Sequence, residues 1–228
     1  MHNIITNLAI FYPLFLIYYF GFGYLFMKWV VKFPEKKNQN IAPRNNIKLD
    51  IKNSLICLFL SSLFISIGIH LKTIGFSNEF EYTSFPIVNF LISVVLGLFL
   101  LDTAIYFSHK WFHSSRKIFK ILHLPHHKNN NPTTIFATYN ESALGFTIPQ
   151  SLYAYMVCII PMSIPALIVT NLLSMTFDLM GHSGYNLIPK GPLGATVRDH
   201  EMHHRVYDCN YAPYFTFWDK LFKTYKEW

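Results

Sequence analysis

Charge is scarce in this chain of 228 residues: Asp, Glu, Lys and Arg together make up 14%, against about a quarter in soluble domains. So little charge argues against a soluble enzyme and for a chain embedded in a bilayer. Cysteine is scarcer still. Cys57, Cys158 and Cys209 follow no metal-ligand or framework spacing, so no disulfide scaffold is expected, and three thiols are too few for an iron–sulfur ligand set. The net charge of +7 would suit a nucleic-acid partner. The basic residues cluster beside apolar segments, however, and read as membrane-flanking charge, so no nucleic acid is expected. Residues 1–7 carry no Lys or Arg, which argues against a cleaved signal peptide. Apart from one duplicated histidine motif there is no internal repeat, and nothing suggests a separate soluble domain.

What the chain has in abundance is apolar and aromatic surface: 52% hydrophobic residues, with 22 Phe and 14 Tyr. Residues 8–27 contain no charge and are long enough to span the hydrocarbon core; residues 54–71 and 86–107 make second and third spans. Residues 146–180 are apolar apart from Asp178 and are interrupted by Pro161 and Pro165. This stretch reads as two short helices in a hairpin, spanning or re-entrant. Lys28, Lys32, Lys36, Lys37, Arg44, Lys48 and Lys52 fill the first loop, with a polar stretch over residues 36–46. The next loop has Lys72 against Glu79 and Glu81; after the third span come Lys110, Arg116, Lys117, Lys120 and Lys128. The positive-inside rule then puts the first and third loops in the cytoplasm, and the hairpin returns the chain to that side.

Nine of the eleven histidines lie on that same side. They are His109 and His113; His123, His126 and His127; His182; and His200, His203 and His204. Two His-x2-His-His motifs by accident would be roughly a one-in-a-thousand event or rarer. On a helix, positions i, i+3 and i+4 share a face, so each triplet, if helical, is expected to aim three rings at one spot. Pro125 fits only a first helical turn, so His126 and His127 should open a helix with His123 just before it. The run from Asp199 to His204 has no breaker and should be helical throughout. Nine imidazoles exceed the four or six ligands of a single ion, so two metals are expected. Asp102, Tyr106, His109 and His113 form one helical stripe. Asp102 could accept a hydrogen bond from a ligand's free N–H, and Asp199 and Glu201 are candidates for the same outer role or for solvated charge.

These residues resemble the fatty acid hydroxylase/sterol desaturase superfamily of membrane di-iron enzymes. The likeness lies in Asp102 before His109 and His113, the two histidine triplets, the intervening His182, and a tail with Asn210 and Tyr211 followed by Trp218 and Asp219. Asn140 and Glu141 stand where the family has a recurring polar pair. The resemblance covers residues 98–228. Family tails often finish Phe-Gly-Thr after Trp-Asp, whereas here Lys223 takes the glycine's place, and Asn186 stands near where some relatives add a histidine.

The resemblance implies an O2-dependent oxidoreductase that hydroxylates or desaturates a C–H bond of a membrane lipid. Two non-haem iron ions would be held by the nine histidines, with zinc able to substitute on purification. Asp102, Asp199 and Glu141 would tune the metals and relay protons. Electrons would come from an external donor of cytochrome b5, ferredoxin or rubredoxin type. The expected fold is all-α: an integral membrane bundle of about three full spans plus the hairpin, with a cytoplasmic helical cap holding the site. Residues 1–97 would supply the N-terminal spans and basic loop and residues 98–228 the catalytic region, as one integrated domain. A carotenoid-type hydroxylase, a membrane metal-binding or transport protein and a zinc hydrolase are the competing readings. A transporter should hold its ligands near mid-bilayer rather than at one edge, and no activated nucleophile favours the hydrolase.

Overall fold

The computed structural model describes residues 3–38, 47–77, 82–128, 135–187 and 194–227. Among these there are helices and no named strand, the only β pairing being the isolated bridges Lys37–Tyr185 and Gly194–Phe215. In chain order the helices are α1 (Ile4–Leu16), a π-helical turn (Ile17–Phe22), α2 (Gly23–Val30), α3 (Ile47–Thr73), α4 (Pro86–Phe112), α5 (Arg116–Leu122), α6 (Leu124–His127), α7 (Ala143–Gln150), α8 (Leu152–Ile159), α9 (Ile164–Gly181), α10 (Val197–Val206) and α11 (Phe217–Leu221). Residues 39–46 of the expected polar loop, and with them Arg44, lie outside the described residues, as do Glu79 and Glu81.

Four helical stretches are long and apolar enough to cross a membrane: Ile4–Val30, Ile47–Thr73, Pro86–Phe112 and Ile164–Gly181. The three expected spans are among them, and the second arm of the hairpin, which the sequence left open as spanning or re-entrant, is also long and apolar enough to cross. The second arm of the hairpin is a full 18 residues because the break falls at Pro161, while Pro165 lies inside the arm. α8 ends at Ile159, Ser163 caps α9 by accepting from the Ala166 amide, and Pro165 sits in the first turn, where its missing N–H costs nothing. The first arm, Ala143–Ile159, is shorter. Exposed Ile5, Leu14, Ile17, Leu25, Ile56, Phe59, Leu91 and Val95 cover the outside of the long helices, as suits a surface in contact with lipid rather than water.

Inside, α3 presents small residues (Ser54, Ser61, Ser62, Ser66 and Gly68) to its neighbours, so that backbones approach closely. A Cβ on Gly68 would collide with the Tyr153 carbonyl of α8. In the N-terminal span, the π-helical turn follows Pro13 and directs two successive tyrosines to partners. Tyr18 Oη lies 2.5 Å from Thr176 Oγ1 on α9, and Tyr19 stacks on Tyr139 at 5.1 Å.

The last segment, 207–227, folds back along the α4 stripe. Trp218 Nε1 donates to Thr103 Oγ1, Tyr106 Oη pairs with Thr224 Oγ1, and the Tyr214 and Phe215 amides donate to Asp102 Oδ1. This clamp carries the backbone of residues 209–211 to the ends of α4 and α10, where the histidines converge.

Candidate metal centre

Each histidine is delivered by a locally determined element. His109 lies in the last turn of α4 and His113 is its C-cap, one helical turn on. Ser115 caps α5, which ends at His123; His123 in turn precedes α6, with Pro125 in its first turn, as expected from the proline rule. His182 is the C-cap of α9. Thr196 and Asp199 form a reciprocal capping box that starts α10, bearing His200, His203 and His204.

The nine rings meet, but not triplet by triplet. His109, His113, His123, His127 and His203 form one group, and His126, His182, His200 and His204 the other. Within each group the available nitrogens lie within 4.8 Å of one another. The expectation that a triplet aims at one spot is therefore corrected: its i and i+4 members stay together, while the i+3 member crosses to the other group. On α10 the reason is angular, since i+3 and i+4 lie on opposite sides of position i by tens of degrees. A helix end wedged between two centres can thus serve both. The groups adjoin, with the His127 and His204 rings 4.5 Å apart.

Second partners fix the ring orientations. His109 Nδ1–H donates to the Tyr211 carbonyl at 2.8 Å, His182 Nδ1–H to the Asp178 carbonyl at 2.8 Å and His203 Nδ1–H to the Cys209 carbonyl at 2.7 Å. His123 Nδ1–H is shared between the Glu141 oxygens at 3.0 and 3.1 Å. A neutral imidazole has one N–H, so these four rings turn bare Nε2 lone pairs inward. Two of them, His109 Nε2 and His123 Nε2, face each other at 2.9 Å. Two lone pairs at that distance repel unless a cation lies beside both. Protonation is a poor remedy, because burial, followed by the neighbouring rings, holds His123 well below its usual 6.5.

Burial and neighbouring rings also depress His126, His127, His200, His203 and His204, and burial holds His113 and His182 at about 4. Burial pushes the Glu141 carboxyl upward, so it too lacks a compensating positive charge. A bound cation would relieve both conflicts. Two nitrogens bonded at ~2.1 Å and a right angle apart sit ~3.0 Å from one another, close to the 2.8–3.3 Å seen for five Nε2 pairs. All-imidazole donor sets suit iron, zinc, copper or nickel and not magnesium or calcium. The residues present therefore fit two transition-metal ions.

Of Asp102, Glu141 and Asp199, singled out from the sequence, only Glu141 hydrogen-bonds a histidine ring. Asp102 accepts from the Tyr214 and Phe215 amides rather than from an imidazole, because its stripe faces the returning tail. Asp199 is occupied by the Thr196 cap and Tyr225 Oη. Glu201 is buried on α10. The carbonyls of Asp178, Cys209 and Tyr211 are invisible to a reading of side chains. Asp219, visible in the sequence only as part of the family-like tail, accepts from the Tyr211 and Ala212 amides at 2.9 Å with its two oxygens and sets the carbonyl facing His109. Asn140 reaches Asp50 and the Pro125 carbonyl, tying the second triplet to α3. A Cβ on Gly145 would meet the Leu122 carbonyl, so only glycine lets α7 pass this close to α5.

A cavity opens beside the two groups. His109, His123, His126, His182 and His200 form one wall, and Ile105, Phe112, Phe146 and Pro149 supply an apolar lining from α4 and α7.

Residues 94–224, which include all nine histidines, match the fatty acid hydroxylase family. Cholesterol 25-hydroxylase of Rattus norvegicus is 31% identical over 143 residues, 59% of this chain and 47% of its own length. Lathosterol oxidase of Homo sapiens is 28% identical over 238 residues, covering 98% and 74%. Methylsterol monooxygenase 1 of Rattus norvegicus is 29% identical over 212 residues, covering 90% and 70%. The chain spans about half the length of the cholesterol 25-hydroxylases it resembles. No solved structure matches it. With more than half of its length matched, and with the two-group imidazole cluster inside the matched region, the chain belongs to the fatty acid hydroxylase family.

Proposed function

We propose that this protein is a multi-pass membrane oxidoreductase that uses O2 to hydroxylate or desaturate a C–H bond of a lipid, with a sterol as the leading substrate class. The observation that carries the reading is the division of nine imidazoles into adjoining groups of five and four beside an apolar-lined cavity. Cholesterol 25-hydroxylase, lathosterol oxidase and methylsterol monooxygenase each carry a sterol in their names, which supports the substrate class. Two ferrous ions, when bound, would supply the reduction of O2 and the oxidant that takes hydrogen from an unactivated carbon.

The chain's own residues do the rest. His109, His113, His123, His127 and His203 would hold one ion, and His126, His182, His200 and His204 the other. Glu141 and the three carbonyl acceptors keep the rings turned inward. Ile105, Phe112 and Phe146 exclude water and seat an alkyl chain against the histidine wall. Glu141, buried and hydrogen-bonded to His123, is the acid suited to hold or release a proton there; Asp102 and Asp199 would act only by positioning.

Residues 1–97 and 98–228 are proposed to work as one integrated domain, the histidines facing the cytoplasm at the edge of the bilayer. Electrons would come from a separate donor of cytochrome b5, ferredoxin or rubredoxin type. Helix α5 supports a docking place for it. Arg116, Lys117 and Lys120 are exposed on α5, while its Phe119 packs on His113 and His127 at 5.0 and 5.3 Å. A negatively charged donor would thus approach within one helix of the metals.

The test is metal analysis with Mössbauer spectroscopy on protein purified in detergent from iron-supplied cells. About two coupled irons per folded chain is the expected result. One metal or none would overturn the reading in favour of a binding or transport role.

A further inference from the structure

Among the polar side chains that line the cavity away from the metal centre, Ser108, Thr138, Tyr139 and Asp178 have partners within the protein. Gln150 closes α7 and lines the cavity together with its neighbours Phe146 and Pro149. Its side chain is 5% exposed, and its amide makes no hydrogen bond to any described residue. Nor is the amide among the sealed polar atoms without a partner, so it keeps some accessible surface, and the residue lines the cavity. It is no metal ligand. The chain leaves Glu141, at the histidines, and climbs the eight residues of α7 before reaching Gln150, a rise of roughly 10 Å.

Within an apolar arm of the hairpin, an amide with two donors and an acceptor is costly to bury unpaired. On α9, by contrast, the buried Asn171 does not line the cavity, and its Nδ2 donates to Ser61. A polar side chain kept in an apolar cavity, aimed at the place where a ligand would lie, fixes that ligand's orientation.

We infer that Gln150 hydrogen-bonds an oxygen of the lipid substrate, so that the cavity selects lipids bearing a hydroxyl or carbonyl over plain hydrocarbon and presents a carbon to the histidines at a set distance from that oxygen. This rests on the lipid reading above and adds the specificity residue. A sterol hydroxyl and the head oxygen of an acyl lipid share the chemistry, and the experiment separates them.

The measurement is equilibrium binding to the metal-loaded, full-length protein in detergent, using two matched pairs. Cholesterol is compared with cholest-5-ene, and 1-hexadecanol with hexadecane. Wild type is expected to bind the alcohol about tenfold more tightly than its hydrocarbon in one pair, the value of one well-made hydrogen bond; the pair that responds identifies the source. Gln150→Met, nearly the same shape without the amide, should erase that preference while leaving hydrocarbon binding and metal per chain unchanged. Gln150→Leu serves the same purpose if the methionine variant loses its metal. No alcohol preference in wild type, or a preference that survives both substitutions, overturns the inference. Lipid turnover measured in parallel keeps the two readings apart. Turnover without an alcohol preference sinks this inference alone, and a Gln150-dependent preference without turnover sinks the oxidase reading alone.

Discussion

Replacing Glu141 should unbalance the two metal groups. Its carboxylate shares the His123 Nδ1–H at 3.0 and 3.1 Å, while its nearest approach to the other group, to His126 Nδ1, is 3.9 Å, too long for a hydrogen bond. Outer partners of this kind are worth 10- to 100-fold in metal affinity. In Glu141→Gln an acceptor oxygen remains but the charge is lost, so the effect belongs near the lower end, about tenfold. In Glu141→Ala the buried N–H is orphaned and the loss should approach about 100-fold, or roughly 2.7 kcal/mol. Only the five-histidine group should weaken. Chelator competition on purified protein, followed by metal analysis, reads the two sites as separate phases. Wild type should release both ions over a narrow range of chelator, whereas Glu141→Ala should lose its first ion at about 100-fold less chelator and hold the second as wild type does. Equal weakening of both phases, or no change in either, would refute the argument that Glu141 acts through His123.

Single ligand removals should respect the same partition. His203→Ala should take one ion from the five-histidine group and His126→Ala one from the group of four, each leaving about one metal per chain and no turnover; full activity in either variant would end the ligand assignment. Asp102→Asn keeps an acceptor for the Tyr214 and Phe215 amides but loses the charge. It should lower stability by about 1 kcal/mol in a thermal melt without changing metal content. Lys223 stands in the left-handed region at φ 58°, where a side chain costs about 1–2 kcal/mol. Lys223→Gly should therefore stabilise the folded tail by about 0.5–1 kcal/mol after glycine's greater unfolded-state entropy is subtracted, and an unchanged or lowered melting temperature would count against this strain.

Lys223 also shows why the departure of this tail from the family's Phe-Gly-Thr ending has a conformational meaning. The chain turns there so that the Thr224 and Tyr225 amides can both donate to the Asp219 carbonyl. A glycine does this freely and a lysine does it under strain. Residue patterns made the substitution visible, but its cost depends on a backbone angle. Asp102 teaches the reverse. Its place on the stripe with His109 and His113 made it look like a partner for an imidazole, and the stripe is real. What covers the stripe is a tail more than a hundred residues away in the chain, and its amides take the carboxylate first.

The hydrophobic runs, the opening of a helix at Pro125, and the count of imidazoles could be read from the chain because each depends on local chemistry. A run of apolar residues must satisfy its own backbone in lipid, Pro125 can only open a helix, and nine histidines are too many for one ion. The partition of those histidines into five and four, the carbonyls of Asp178, Cys209 and Tyr211 that turn the rings inward, and the unpaired amide of Gln150 in the cavity were decided by the tertiary structure. They arise where the ends of α4, α6, α9 and α10 and the returning tail are packed together. Carbonyls are the same in every residue, and only packing determines which of them meets a ring.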